Sequence, residues 1–178
     1  LDASYTYDNT ASAVHVYILD TGIRTTHVEF GGRASFDVDF MGDGQEQEYN
    51  GDCHGHGTHV AGIIAAERGN GLGTDGVADQ VAIMSVRMLS DGDEYDKDVA
   101  LGIRYAVDNG ARIINASFGK AFSPNKEWVY EAIKYAAKKD VLIVHAAGND
   151  SLDMDDPSNP NYPNDQVATG AEITDNVL

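Results

Sequence analysis

Three histidines, His54, His56 and His59, fall within the short glycine-rich stretch that runs from Gly51 to Ala66. Imidazoles at such density either bind a transition metal or move protons. His56 and His59, three residues apart, would lie on one helix face and offer two nitrogens to an ion. No Glu-x-x-His or Cys-x-x-Cys accompanies them, and Cys53 is the sole cysteine, which argues against zinc. Gly55 and Gly57 let another backbone come close to the helix start. A histidine held there has ordered backbone on one side and an open face on the other. Asp20, Ser117 and Asn149 each end or follow an apolar run. In open α/β sheets, ligands and catalytic groups collect at the carboxyl ends of strands. Plainer readings stand beside these: a His-rich turn, a turn Asp before Gly22, and an Asn that caps the turn after a strand.

The elements that must position these residues follow from periodicity. Val14 to Leu19 is a mostly apolar run that suits a strand covered on both faces. Ala34 to Phe40 alternates, with Phe36, Val38 and Phe40 expected on one side and Asp37 and Asp39 on the other. Further strands are expected at 81–88, 112–117, 141–146 and 167–171, with residues 141–146 apolar enough to be buried on both faces. The run from His56 to Ala66 reads as a helix of about three turns, with Gly69 as its stop. Val99, Ile103, Ala106 and Val107 mark a helix over 96–109. A third helix opens at Ser123-Pro124, with Ser123 as N-cap, and carries Trp128, Ile133, Tyr135 and Ala136 as its apolar positions up to Lys139. Residues 1–13 read as an extended surface arm. The loop from Gly69 to Gly76 is glycine-rich but is not a phosphate-binding loop, since no Gly-Lys-Ser/Thr follows. Strand and helix alternate throughout. The class is therefore α/β: three layers, a largely parallel twisted sheet, helices on both faces.

Composition narrows the function classes. The 178 residues are enough for one domain with a sizeable core. A net charge of −17 argues against nucleic acid or an anionic membrane as partner. No run of about 18 apolar residues is present to cross a bilayer. The acidic segment with Asp37, Asp39, Asp43, Glu46 and Glu48 offers oxygen ligands suited to a hard cation such as calcium. Without EF-hand spacing, a solvated acidic loop is the simpler reading, and no metal ligand is assigned. The chain opens on Leu1, which suggests a processed or excised segment.

Taken together and in order, these motifs resemble the subtilisin-like serine proteases, the subtilase family. Ile18-Leu19-Asp20-Thr21-Gly22-Ile23 resembles the aspartate motif and His56-Gly57-Thr58-His59-Val60-Ala61-Gly62 the histidine motif. Asn115-Ala116-Ser117-Phe118-Gly119 is similar to the substrate-binding strand, and Ala146-Ala147-Gly148-Asn149 to the oxyanion-asparagine motif. Residues 14–62 look most like the proteinase K branch. The resemblance implies a secreted endopeptidase that needs no cofactor for catalysis, with structural calcium as an option. It implies Asp20 and His56 as two members of an Asp-His-Ser triad, and gives His59 a supporting place on the same helix. Asn149 would be the oxyanion donor. Ser117, Phe118 and Gly119 would offer backbone groups to a polypeptide bound as an extended strand, with residues 87–92 lining the other side of the cleft. One departure is large: the nucleophile motif, Gly-Thr-Ser-Met-Ala or close to it, is absent. Residues 1–178 are therefore expected to be the N-terminal portion of a single subtilase catalytic domain, incomplete at its C-terminus and inactive alone. A companion C-terminal fragment would carry the serine. Two alternatives remain: a non-catalytic peptide-binding module, and an engineered or recombined folding unit.

Overall fold

Aliphatic runs that alternate with amphipathic helices can bury both of their faces only in a sheet sandwiched between helices. The computed structural model, which describes residues 10–43, 51–90, 92–154, 156, 158–164 and 174–178, has this arrangement. Five strands form one sheet: β1 (His15–Asp20), β2 (Ala34–Asp39), β3 (Ala82–Arg87), β4 (Ile113–Ala116) and β5 (Leu142–His145). Their order is β2-β3-β1-β4-β5 and every neighbouring pair is parallel. The helices are α1 (His56–Ala65), α2 (Asp96–Asp108) and α3 (Lys126–Lys138).

Alternation along β1 divides the core in two. Val16 and Ile18 face α1 and pack with Ile23, Phe30, Ala61, Ala65, Val81 and Ile83. Tyr17 and Leu19 face α2 and α3, where Val86, Ile103, Ile114, Ile133 and Ile143 join them. Each such side chain stabilises the fold by about 1.5–3 kcal/mol when fully buried. β1 is central because both of its faces and both of its edges are occupied. Asp20 therefore ends the most enclosed strand of the sheet, and is itself fully buried.

Several expectations are corrected by packing. In β2 the register shifts between Phe36, which pairs with Ser85, and Val38, which pairs with Val86. The bulge takes up Asp37, so Phe36 and Val38 lie on opposite faces and Phe36 is 41% exposed. Asp39 turns inward, not outward, because the buried Arg87 guanidinium receives it. The first helix ends at Ala65, before Gly69, since Ala66 is extended and its carbonyl accepts the Gly76 N–H. Ser123 is not the N-cap of α3; its hydroxyl donates to Asp96 Oδ1, and Asn125 occupies the cap position. Trp128 falls off the buried stripe of α3, which is made by Val129, Tyr130, Ala132, Ile133 and Ala136. β5 is not buried on both faces. It lies two strands from β1, which α1 covers, and Val144 is 37% exposed. The outer edge of β5 instead pairs with residues 176–178, through Ile143 N–H to Asn176 O and Leu178 N–H to Ile143 O. The expected strand at 167–171 and the first nine residues of the arm expected over 1–13 lie outside the described residues.

One ion triad, built on a buried arginine, joins the ends of β2 and β3. Arg87 Nη1 donates to Asp39 Oδ2 at 2.8 Å and to Asp43 Oδ1 at 2.7 Å, and Nη2 donates to Asp43 Oδ2 at 2.8 Å. Arg87 is fully buried, and the carboxylates hold its pKa above the usual value. Removing one member of such a set leaves a buried charge without its counterion. Arg87→Met is therefore expected to cost about 3–5 kcal/mol in urea unfolding. A loss below about 1 kcal/mol would mean that water replaces the guanidinium at no great cost.

Candidate active site

The site starts from two close backbone approaches. Gly57, the second residue of α1, sits against the exit of β1, where an added Cβ would lie 2.0 Å from the Gly22 carbonyl oxygen and 3.0 Å from Asp20 Cβ. Gly22 has φ of +112°, and a Cβ there would lie 1.9 Å from the Gly51 carbonyl oxygen. Only residues without a Cβ let α1 start directly over the end of β1. His56, the first residue of that helix, is thereby delivered to Asp20. Its Nδ1 lies 2.8 Å from Asp20 Oδ1 and 3.0 Å from Oδ2. Thr21 N–H also donates to Asp20 Oδ1, at 2.7 Å.

The two partners differ sharply in exposure. Asp20 has no accessible side-chain surface, whereas the His56 side chain is 42% exposed. Burial pushes the Asp20 carboxyl pKa up, and the bonds from His56 and Thr21 oppose that rise. An imidazole that donates through Nδ1 carries its lone pair on Nε2. The arrangement can accept a proton at Nε2 and balance the resulting charge with a fixed carboxylate.

His54 and His59 do not join this pair as metal ligands. Both are exposed, the His54 ring meets His56 edge-on at 6.3 Å, and no group of three or more His, Cys, Asp or Glu among the described residues is placed to hold an ion. The described residues of the acidic segment are not gathered around a cation site either. Asp39 and Asp43 are turned to Arg87, and Glu46 and Glu48 lie outside the described residues.

The other expected site residues surround a separate cavity of about 420 Å³ at the same edge of the sheet. Ser117, Phe118 and Gly119 follow β4 and form one wall; Ala147, Gly148 and Asn149 follow β5 and form the opposite one. Asn149 is exposed there, while His56 is not among the lining residues. Phe118 departs from the expected role. It is 9% exposed, and its carbonyl already accepts a hydrogen bond from His145 Nε2 at 2.8 Å. Lys120 pairs with Tyr162 in an antiparallel bridge, so the segment after Gly119 is paired within the chain. Residues 87–92 were expected to line the other side of the cleft, but Met88, Leu89, Ser90 and Gly92 border a neighbouring cavity of about 600 Å³ instead, and Arg87 points away into its ion triad.

Two participants escaped the sequence reading. Asn161 projects between the walls; its Nδ2 donates to Ala146 O at 2.8 Å, and a Cβ at Gly119 would lie 2.3 Å from its Oδ1. It stands in a Pro- and Asn-rich loop with no periodicity to mark it. His145 stood inside the expected apolar strand 141–146, and only its bond across to Phe118 gives it a part.

Comparison with known proteins bears on the family and the fold. A family model described as the Subtilase family matches residues 11–175. Thermitase of Thermoactinomyces vulgaris is 37% identical over 153 residues, 85% of this chain and 51% of its own length. An extracellular serine proteinase of Thermus sp. (strain Rt41A) is 38% identical over 156 residues, 86% of this chain and 35% of its own length. The solved structure of a cold adapted subtilisin-like serine proteinase matches with a TM-score of 0.74 at 32% identity, over 92% of this chain and 55% of that one. The chain thus spans about half, or less, of the length of these relatives.

Burial holds the His145 pKa down at about 4, against an ordinary value of 6.5. The ring should therefore stay neutral to about pH 4 when followed by NMR. Between pH 4 and 6.5 the unfolded chain binds a proton that the folded chain refuses, so this residue makes stability rise with pH across that window. His145→Gln should flatten that part of the profile. A ring that titrates near 6.5 would contradict its burial, since the bond to the Phe118 carbonyl by itself favours the protonated form.

Proposed function

The chain belongs to the subtilase family, and on that premise we propose that it is part of a secreted serine endopeptidase domain and holds two members of its triad. The observation that carries the reading is the pairing of a fully buried carboxylate with a half-exposed imidazole, Asp20 with His56 Nδ1 at 2.8 Å. Asp20 fixes the tautomer and orientation of His56 and stabilises the imidazolium that forms. His56 Nε2 takes the proton of a serine hydroxyl as that oxygen attacks the scissile carbonyl, then gives it to the leaving amine. The Asn149 side-chain amide donates to the oxyanion of the tetrahedral intermediate. Ser117 and Gly119 border the polypeptide, bound as an extended strand. Phe118 holds that border in place from behind, through its buried ring and its bond to His145. The serine lies outside these 178 residues, in the remainder of the protein. The chemistry runs on side chains, and we assign no calcium site. The net charge of −17 disfavours nucleic acid as partner, and among the described residues no helix is long and apolar enough to cross a membrane.

A second reading, a module that grips extended peptides without cleaving them, draws on one fact: no serine of this chain lies in a nucleophile motif. Labelling with a fluorophosphonate separates the two. The full-length protein should be labelled on a serine outside these residues, and His56→Ala should abolish the labelling. This chain alone should remain unlabelled. A full-length protein that resists the reagent but still binds peptides would favour the second reading.

In the full-length protein, Asn149→Ala should lower kcat with little change in KM, because the amide meets full charge only in the transition state. The loss known for such a donor in subtilisin is roughly 10²–10³-fold. A raised KM at constant kcat would make Asn149 a ground-state contact instead.

A further inference from the structure

Asp52 is a buried carboxylate that lies four residues before His56 and has been given no part so far. Its two oxygens accept an unusual number of hydrogen bonds. Oδ1 accepts from Thr21 Oγ1 at 3.0 Å, from His54 N–H at 3.2 Å and from Gly55 N–H at 2.8 Å. Oδ2 accepts from Thr58 N–H at 2.9 Å and from Thr58 Oγ1 at 2.5 Å. The N-cap residue of α1 is Gly55, which has no side chain and makes no side-chain cap bond. Asp52 supplies the missing acceptor from outside the helix, and its negative charge suits the helix N-terminus.

The same carboxylate reaches β1. The Thr21 hydroxyl that donates to Asp52 accepts the Gly57 N–H at 3.0 Å. The backbone N–H of Thr21 holds Asp20 Oδ1. The Thr58 hydroxyl in turn accepts the Arg24 N–H at 2.9 Å. His56 is therefore flanked on both sides by amides, Gly55 before it and Gly57 and Thr58 after it, that are tied to Asp52 directly or through Thr21. One residue, Thr21, grips both the carboxylate that His56 meets and the carboxylate that anchors the helix of His56.

We propose that Asp52 is a positioning residue: through Thr21 and Thr58 it sets the first turn of α1 so that the His56 ring meets Asp20. The inference rests on the reading of Asp20 and His56 as the working pair. It differs from simple helix capping in what it predicts. A cap contributes stability alone, whereas a positioning residue also decides whether the Nδ1 proton is held. A misplacement of about 1 Å in such a site costs on the order of 10²-fold in rate.

The test uses the full-length protein and two variants, Asp52→Ala and the near-isosteric Thr21→Val, which removes the relay and keeps the packing. The first readout is the low-field proton of His56 Nδ1–H in one-dimensional NMR, identified by its absence in His56→Ala. The second is kcat against KM on a peptide substrate. We expect the wild type to show the proton. Both variants should lose it, with kcat down by about 10–100-fold and KM within about twofold, while far-UV circular dichroism stays unchanged. If Asp52→Ala fails to fold, Thr21→Val carries the test. Variants that keep the proton and kcat, and lose only thermal stability, overturn the positioning role and leave the pair intact. A wild type that lacks the proton overturns the pairing of Asp20 with His56, and this inference with it.

Discussion

The contact on which the rest of the site depends is between backbones: α1 begins directly over the end of β1. At Gly57 and Gly22 an added Cβ would fall within about 2 Å of a carbonyl oxygen on the facing segment. This close approach sets the distance from His56 to Asp20 before either side chain is considered. A helix held farther out, by the width of one methyl group, would put the imidazole beyond hydrogen-bond reach of a carboxylate that is itself fixed in the sheet. The glycines cost backbone entropy on folding, and the hydrogen bonds around Thr21 and Asp52 offset that cost where the two segments meet.

The sheet order explains why the other candidate groups arrive at the same edge. All strands are parallel, so every loop that leaves a strand end emerges on one side. β1 and β4 are neighbours, as are β4 and β5, which places Asp20, Ser117 and Asn149 in sequence along that edge. The walls are then set by contacts between loops. His145 ties Phe118 from behind, Asn161 stands between Gly119 and Gly148, and Tyr162 pairs with Lys120. The mouth of the cavity is thus shaped by groups that no single strand supplies.

Charge is distributed with a similar logic. The chain has 29 acidic and 12 basic side chains, yet two of the basic ones are nearly sealed inside at this edge. Arg87 joins the ends of β2 and β3 through Asp39 and Asp43. Lys120, whose side chain is 10% exposed, pairs with Asp96 at 2.9 Å and donates to the Glu94 carbonyl, tying the start of α2 to the segment after β4. Glu94 itself is buried, and desolvation pushes its pKa up to about 7. Internal cations therefore join the loops at the site's edge.

The sequence alone determined the fold class and the chain order of the described strands and helices, which depend on local periodicity, and short motifs that resemble those of the subtilases pointed to Asp20 and His56. Apolar runs such as 14–19 and 81–88 have one stable use, a sheet covered on both faces, and the glycines beside His56 already implied a close approach. What the sequence could not show was every contact set by residues distant along the chain. The bulge at Asp37 reverses Phe36, and the inward turn of Asp39 follows from Arg87, some 48 residues later. Ser123 looks like a cap until Asp96 claims its hydroxyl. Trp128 looks like core until α3 presents a different stripe to the sheet. Asp52, an ordinary acid in a loop by sequence, accepts five hydrogen bonds only because β1 and α1 are brought together around it. Local pattern reports which residues prefer to be buried or to turn. Which partner each polar group finds is decided by tertiary packing, where the cost of leaving a buried group unpaired selects one arrangement.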